Sequence, residues 1–317
     1  MGTPAHKNPS LFTISNLRMS APRKTILVTG ATGKQGGALI QSLLSAPDTA
    51  GFNIVAVTRD VTSPRALKLG ANFNVSVVDG DMAQPEAIFQ KVSPVWGVYS
   101  VQINSDAEEQ QGKAIVDAAI AHGVRHFVYS SGDRGGPEKS PVNPTKVKNF
   151  AAKHHIEKHL VEKAAASPQQ MTYTILRPVT FFENLTTDIH GKGFARMWEQ
   201  MGDKKLQFVS TRDIGRVAAY SFMNPEEYCD VGLTLVGDEL NQREAEATFK
   251  AVVGVSMPMA PCPVASTVKF LLKGTVGDMF RWFEHEGYGG DVAACRQLYP
   301  GMKDFKGWIE ENKEQWS

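Results

Sequence analysis

Thr25-Ile26-Leu27-Val28-Thr29-Gly30-Ala31-Thr32-Gly33-Lys34-Gln35-Gly36-Gly37 decides how the rest of this chain is read. Residues 25–29 form a short apolar, β-branched run, the composition of a buried parallel strand, and the run stops at a glycine. A helical stretch follows with Leu39, Ile40, Leu43 and Leu44 on one face, closed by Ala46-Pro47. A tight turn between such elements needs residues free of Cβ clashes. A diphosphate, in turn, must reach backbone N–H groups at the positive end of the helix. Glycines at 30, 33 and 36 meet both needs, and Gly36 with Gly37 would let the helix pack closely on the sheet. The glycines alone are a weak signal, equally consistent with a turn that holds no ligand. With a strand before, a helix after and a second strand within about 30 residues, they predict a dinucleotide-binding turn.

Outward from this turn the pattern alternates. Strand-like runs recur at 54–58, 75–78, 95–101 and 125–131, and residues 106–122 form an amphipathic helix through Ile115, Ala118, Ala119 and Ile120, ended by Gly123. Strands alternating with helices imply crossover units and a parallel sheet covered on both faces. A helix is expected over 154–166 and a sixth strand over 172–176, with Arg177-Pro178 as its exit. Beyond Pro178 regularity falls: helices are expected near 192–201, 213–223, 243–253 and 267–283, a strand at 233–236, and a loop across the Pro-rich stretch 257–263. The predicted fold is α/β, a Rossmann-type doubly wound parallel sheet. The predicted division is a core over 24–180 and a smaller mixed C-terminal region over 181–317, packed over the strands' carboxyl ends where open α/β sheets bind ligands.

Composition removes other classes. The 317 residues are 42% hydrophobic and 21% charged, soluble globular values that exclude disorder, collagen and coiled coil. Lys+Arg number 34 against 33 Asp+Glu, a net charge of +1, so neither direct nucleic-acid binding nor membrane-surface binding is expected. No apolar run reaches the length of a membrane span. Three cysteines (Cys229, Cys262, Cys295) form no paired motif, which points to a reducing compartment: the cytoplasm, or the nucleus for a regulator. Residues 1–23 lack a secretory apolar core and are expected to be a disordered tail; Met19 offers an alternative start.

The second strand ends in Arg59-Asp60, and Arg59 lies 23 residues beyond Gly36. An acid at this place binds the ribose 2′-hydroxyl of NAD, whereas an arginine suits the 2′-phosphate of NADP. A guanidinium grips phosphate through two parallel bonds, and Lys34 adds a second cation, so NADP(H) is favoured over NAD(H) although Asp60 offers an acceptor.

These residues resemble the opening of NmrA-like proteins, atypical members of the short-chain dehydrogenase/reductase superfamily. Four later stretches share the resemblance: 78–81 (VDGD), 126–131 (HFVYSS), the helix around 154–162, and 177–184 (RPVTFFEN). The resemblance implies that Gly30, Ala31, Thr32, Gly33, Lys34 and Gln35 hold the pyrophosphate and that Arg59 and Asp60 face the adenosine ribose. It implies that Asp81 and Met82 flank the adenine, that Gln102 and Ile103 pass beside the cofactor, and that Lys158, Thr180, Phe181, Phe182 and Glu183 approach the nicotinamide.

Ordinary short-chain reductases pair a tyrosine with a lysine four residues on, because i and i+4 share a helix face and the ammonium depresses the phenol's pKa. Four residues before Lys158 stands His154 instead. Two readings stay open. His154 or Lys158 supplies a proton, with Ser130 holding a carbonyl, while NADPH reduces a C=O, C=N or activated C=C of a small molecule in a metabolic or secondary-metabolite pathway. Alternatively the site binds NADP(H) without turnover and reports redox state to a protein partner. His155 and His159 share a face, but no acid framework accompanies them and no metal site is expected. The late aromatics Met279, Phe280, Trp282, Phe283 and Tyr288 read as core or as the wall of an apolar pocket. Asp213 or Thr211 is expected to cap a helix.

Overall fold

The computed structural model describes residues 23–46, 51–261 and 276–316. Its strands are β1 (Lys24–Val28), β2 (Phe52–Thr58), β3 (Val75–Asp79), β4 (Gly97–Ser100), β5 (His126–Ser130), β6 (Thr172–Pro178), β7 (Thr180–Phe181), β8 (Leu206–Val209), β9 (Val231–Leu235) and β10 (Asp238–Leu240). Seven of them form one parallel sheet in the order β3-β2-β1-β4-β5-β6-β9. Val28 pairs with Ala56 on one side and Tyr99 on the other, so the strand order reverses at β1 and opens a crevice at its carboxyl end.

Alternation along the strands sorts the core into two layers. Ile26, Val28 and Tyr99 pack against α1 (Lys34–Ser45) and α7 (Thr211–Met223) through Leu39, Ile214 and Phe222. Leu27, Val98, Phe127 and Tyr129 pack on the opposite face against α3 (Pro85–Val92), α4 (Glu108–Ala121) and α5 (Lys148–Ala165) through Phe89, Ile115 and Ile156. The crossing of α1 and α7 is close enough that a Cβ on Gly215 would lie 2.5 Å from the carbonyl carbon of Ala38. The predicted doubly wound sheet is therefore present. It draws β9 and α7 from the region beyond residue 180, so the main sheet is completed by the second half of the chain.

A smaller sheet, β10-β8-β7, joins α6 (Ile189–Glu199), α8 (Gln242–Val253) and the short helices Asp278–His285, Val292–Leu298 and Phe305–Glu311. Its core is aromatic: Phe182 is fully buried, with Phe208 at 5.5 Å and Trp308 at 5.4 Å between ring centres. Phe280, Trp282 and Phe283 belong to this core, the packing reading of the late aromatics. None of the three short strands, nor the helices 292–298 and 305–311, was expected from the sequence. Strands of two to four residues are too brief for a period-2 pattern to register. Of the helix expected at 267–283, only Val276 onward falls among the described residues; the expected tail at 1–23 lies outside them except for Arg23.

The helix expected from 154 begins at Lys148. Asn143 Oδ1 accepts from the Thr145 N–H, and Thr145 Oγ1 from the Val147 N–H, so two side-chain turns end the preceding loop and launch the helix early. Neither Asp213 nor Thr211 is the cap of α7: Ser210 Oγ accepts from the Arg212 N–H, while Asp213 takes the Lys303 N–H and a bond from Arg216.

At the sheet's other end, His126 is buried between Thr172 Oγ1 (2.8 Å from Nδ1) and Thr174 Oγ1 (3.2 Å from Nε2). Thr174 gives its own proton to the Tyr228 carbonyl, so it accepts from Nε2–H, and the neutral ring is satisfied when the Thr172 hydroxyl turns from the Arg125 carbonyl (3.2 Å) to the nearer Nδ1. Burial, aided by the Lys24 ammonium, pushes the His126 pKa down to about 4 from 6.5. The folded state thus binds fewer protons than the unfolded between those values. Stability is full above pH ~6.5 and falls by about 3 kcal/mol on descending to pH ~4. Melting curves at pH 7.5 and 5 should show about 2 kcal/mol of this loss in the native protein and a flatter dependence in His126→Asn. Equal dependences would remove His126 from the account.

Candidate functional site

The turn at the crevice is closed on itself. Gly30 has a φ of +58°, and a Cβ on Gly36 would lie 2.4 Å from the Gly30 carbonyl oxygen, so neither position accepts another residue without rearrangement. The N-cap of α1 is Gly33, which has no side chain to bond the first-turn N–H groups, and no acid stands in that turn. Unsatisfied donors and the positive helix end are therefore left at the crevice, the chemistry an anionic diphosphate requires.

A cleft of about 690 Å³ runs from this turn across the ends of β2, β3 and β4. The structure brings to it Gly30, Thr32, Gly33, Lys34 and Gln35 from the turn, Arg59 and Asp60 after β2, Asp81 and Met82 after β3, Gln102 and Ile103 after β4, and Phe181. Ala31 is fully buried behind the turn. Lys34 Nζ donates to the Glu183 carbonyl (2.7 Å), which ties the turn to the C-terminal region.

The end of the cleft past β2 carries cations. Arg59 is exposed and has no ion-pair partner among the described residues. Asp60 is exposed beside it: its Oδ1 accepts from Thr62 Oγ1 (2.6 Å) and the Thr62 N–H (2.9 Å), which holds the carboxyl below its usual range. Arg65, at the start of α2 (Pro64–Gly70), also lines the cleft, with Nη1 on the Thr32 carbonyl at 3.3 Å. The sequence reading missed it. A cation six residues past Arg59 carries no signal until the β2–α2 turn folds it back.

The other sequence-derived candidates lie elsewhere. Lys158 is outside the cleft, exposed on the α4–α5 surface with Glu162 at 3.8 Å, a shallow depression it shares with His155 and His159. Those histidines pair with Glu109 (2.8 Å) and Asp117 (2.9 Å) on α4. Among the described residues no set of three or more His, Cys, Asp or Glu could hold a metal ion. His154 abuts the loop after β5, where burial and the Arg134 guanidinium lower its pKa. Ser130 is buried beneath the turn and donates to Gln35 Oε1 (2.6 Å), which also accepts from Tyr99 Oη (3.3 Å); it orients Gln35 rather than a substrate carbonyl. Thr180 donates to Tyr288 Oη, Phe182 is core, and the Glu183 carboxylate accepts the Thr211 N–H at the start of α7. From the 180–183 group only Phe181 lines the cleft.

The lysine directed to the sheet's carboxyl edge is Lys153. Its Nζ bonds the Glu108 carboxylate and Asn104 Oδ1 (3.2 Å), and its stem runs 3.5 Å from where a Gly132 Cβ would be. Asn104 and Glu108 are interleaved with the cleft residues Ile103, Ser105 and Gln111. Helical geometry explains the difference. Lys153, Ile156, Glu157 and Leu160 follow the i, i+3, i+4, i+7 pattern of the inward face, whereas Lys158, five residues on from Lys153, points away. The buried positions Ile156 and Leu160 were the sequence signal that would have located it.

The model of the NmrA-like family matches residues 22–309. The NmrA-like family domain-containing oxidoreductase lnaB of Aspergillus flavus is 29% identical over 262 residues, spanning 74% of this chain and 75% of that protein. Triphenylmethane reductase of Citrobacter sp., solved in complex with NADP(H), superposes with a TM-score of 0.68 at 19% identity, over 91% of this chain and 99% of that one. NmrA, a negative transcriptional regulator, has been solved with NADP (TM-score 0.68) and with NAD (0.69), each 18% identical and covering 92% of this chain and 95% of its own. Both structures share the fold described above.

Proposed function

Since the chain belongs to the NmrA-like family, we propose that it is an NADP(H)-dependent oxidoreductase acting on a C=O, C=N or activated C=C of a small organic molecule. The observation that carries the reading is the cleft at the β1–α1 turn: an open helix N-terminus at its centre, Lys34 in the turn itself, and Arg59 and Arg65 past the end of β2. A curated relative named as an oxidoreductase, similar along three quarters of both chains, supports the catalytic form of it. Gly30 to Gly36 would hold the diphosphate, Arg59 and Arg65 the 2′-phosphate, and Asp81 and Met82 the adenine side. The reduced dinucleotide supplies hydride when bound. Phe181 and Ile103 exclude water from the inner end of the cleft, and Lys153 holds the proton that the reduced heteroatom or carbon needs.

Single-turnover absorbance at the nicotinamide band, across a screen of carbonyls, imines and quinones, tests this. Turnover should fall roughly hundredfold in Lys153→Met, with dinucleotide affinity little changed. Lys158→Ala should behave as the native protein. A loss in Lys158→Ala with none in Lys153→Met would reverse the assignment.

The second reading is an NADP(H) sensor acting through a protein partner. It is favoured by the lack of a tyrosine four residues before either lysine, and by the fold shared with a transcriptional regulator. Saturable dinucleotide binding without oxidation of NADPH on any substrate class would support it over the enzyme.

A further inference from the structure

Among the described residues, the buried polar atoms without a hydrogen-bond partner include Glu108 Oε2, Tyr129 Oη and Gln102 Oε1. They belong to one neighbourhood. Ser100 is the register partner of Tyr129 and accepts from Gln102 Nε2 at 2.8 Å. The Glu108 charge in turn reaches Tyr129, where it adds to burial in raising the phenol's pKa. Glu108 is fully buried in the first turn of α4, where the helix dipole favours a carboxylate, and its other oxygen holds Lys153. Burial raises the Glu108 carboxyl pKa against the opposing pull of the Lys153 ammonium.

A buried carboxylate with a spare oxygen costs several kcal/mol unless something satisfies it. Tyr129 offers a hydroxyl that lacks an acceptor, and Glu108 an acceptor that lacks a donor. One internal water between them would satisfy both. We propose that Glu108 is the positioning residue of Lys153, fixing its Nζ beside Asn104, next in the chain to the cleft residues Ile103 and Ser105, and that an internal water shared with Tyr129 holds the spare carboxylate oxygen. The lysine's role in hydride chemistry rests on the oxidoreductase reading; its placement by Glu108 does not.

The test compares acylation rates of individual lysines by mass spectrometry on the full-length chain. Lys153 should label slowly in the native protein. In Glu108→Gln its rate should rise roughly tenfold, the loss of one charge-assisted bond, while Lys158 and Lys163 on the same helix stay unchanged. Glu108→Asp should restore part of the protection, and Tyr129→Phe, which keeps the ring in the core, should give a smaller rise at Lys153. Unchanged labelling of Lys153 in both Glu108→Gln and Tyr129→Phe, or an equal rise at all three lysines, overturns the proposal. Should Glu108→Gln not fold, Tyr129→Phe alone decides. With an active substrate in hand, Glu108→Gln should lower kcat roughly tenfold or more at constant KM. Absence of dinucleotide binding would end the oxidoreductase reading and leave the labelling result standing.

Discussion

Arg59→Ala combined with Arg65→Ala weakens NADP(H) by about a hundredfold and leaves NAD(H) within a few-fold. The two guanidiniums flank the end of β2 where an adenosine ribose would rest, and neither is neutralised by the nearest acid. Asp60 is held by Thr62 through its Oδ1, and against its single negative charge the two guanidiniums leave a net positive charge for a phosphate. A charge-assisted hydrogen bond contributes about 1.5–3 kcal/mol, and losing one such bond from each arginine accounts for a hundredfold with allowance for solvent screening. Calorimetric titration with both dinucleotides measures it. Equal losses for the two would show that the arginines serve the shared diphosphate, and the preference for NADP(H) would have to be withdrawn.

The second large effect concerns stability. Glu157 is buried on the inner face of α5 between two arginines: its Oε2 lies 2.9 Å from Arg134 Nη2 and 2.9 Å from Arg177 Nη2, and its Oε1 accepts from the Ser131 hydroxyl. Arg134 has no exposed side-chain surface and also donates to the carbonyls of Gly132 and Ser140. Beside it, the Asp133 carboxylate accepts from the N–H groups of Gly136 and Gly289 and the hydroxyl of Thr234. The loop that leaves β5 is thus pinned to the helix, to β6 and to the C-terminal region at once. Glu157→Ala would leave two guanidiniums buried without a counter-charge, a loss of about 3–5 kcal/mol. Glu157→Gln keeps the shape and should lose less. The urea midpoint reads both, and a shift under about 1 kcal/mol in the alanine variant would mean that water enters and re-solvates the pair.

Much of this architecture was legible before any coordinates. The inner strands β1, β2, β4, β5 and β6 are largely buried on both faces, so each reads as an apolar run that stands out from its surroundings, and the edge strand β3 keeps three valines in five residues. The glycine turn announces itself because its chemistry lies in consecutive residues. Arg59 stands at the tip of its strand, and Asp81, Met82, Gln102 and Ile103, which the family resemblance named, all lie within three residues of a strand end and therefore on the crevice. Lys158 was misplaced because likeness to a tyrosine–lysine pair four residues apart fixed a spacing without fixing a face. The inward face of α5 is set by Ile156, Glu157 and Leu160, and that face carries Lys153.

What the amino-acid order determined, then, is everything carried by local periodicity: the strand–turn–helix opening, the parallel sheet and the row of residues at its carboxyl edge. Tertiary structure alone decided which distant groups meet there. Arg65 reaches the Thr32 carbonyl, Lys34 reaches the Glu183 carbonyl, Ser130 is drawn under Gln35, and Glu108 closes on Lys153 across 45 positions of chain. The physical reason is that a repeat of 2 or 3.6 residues is imposed by each element's own backbone and is visible along the chain. A bond between side chains on different elements depends on how those elements pack, which no local pattern encodes.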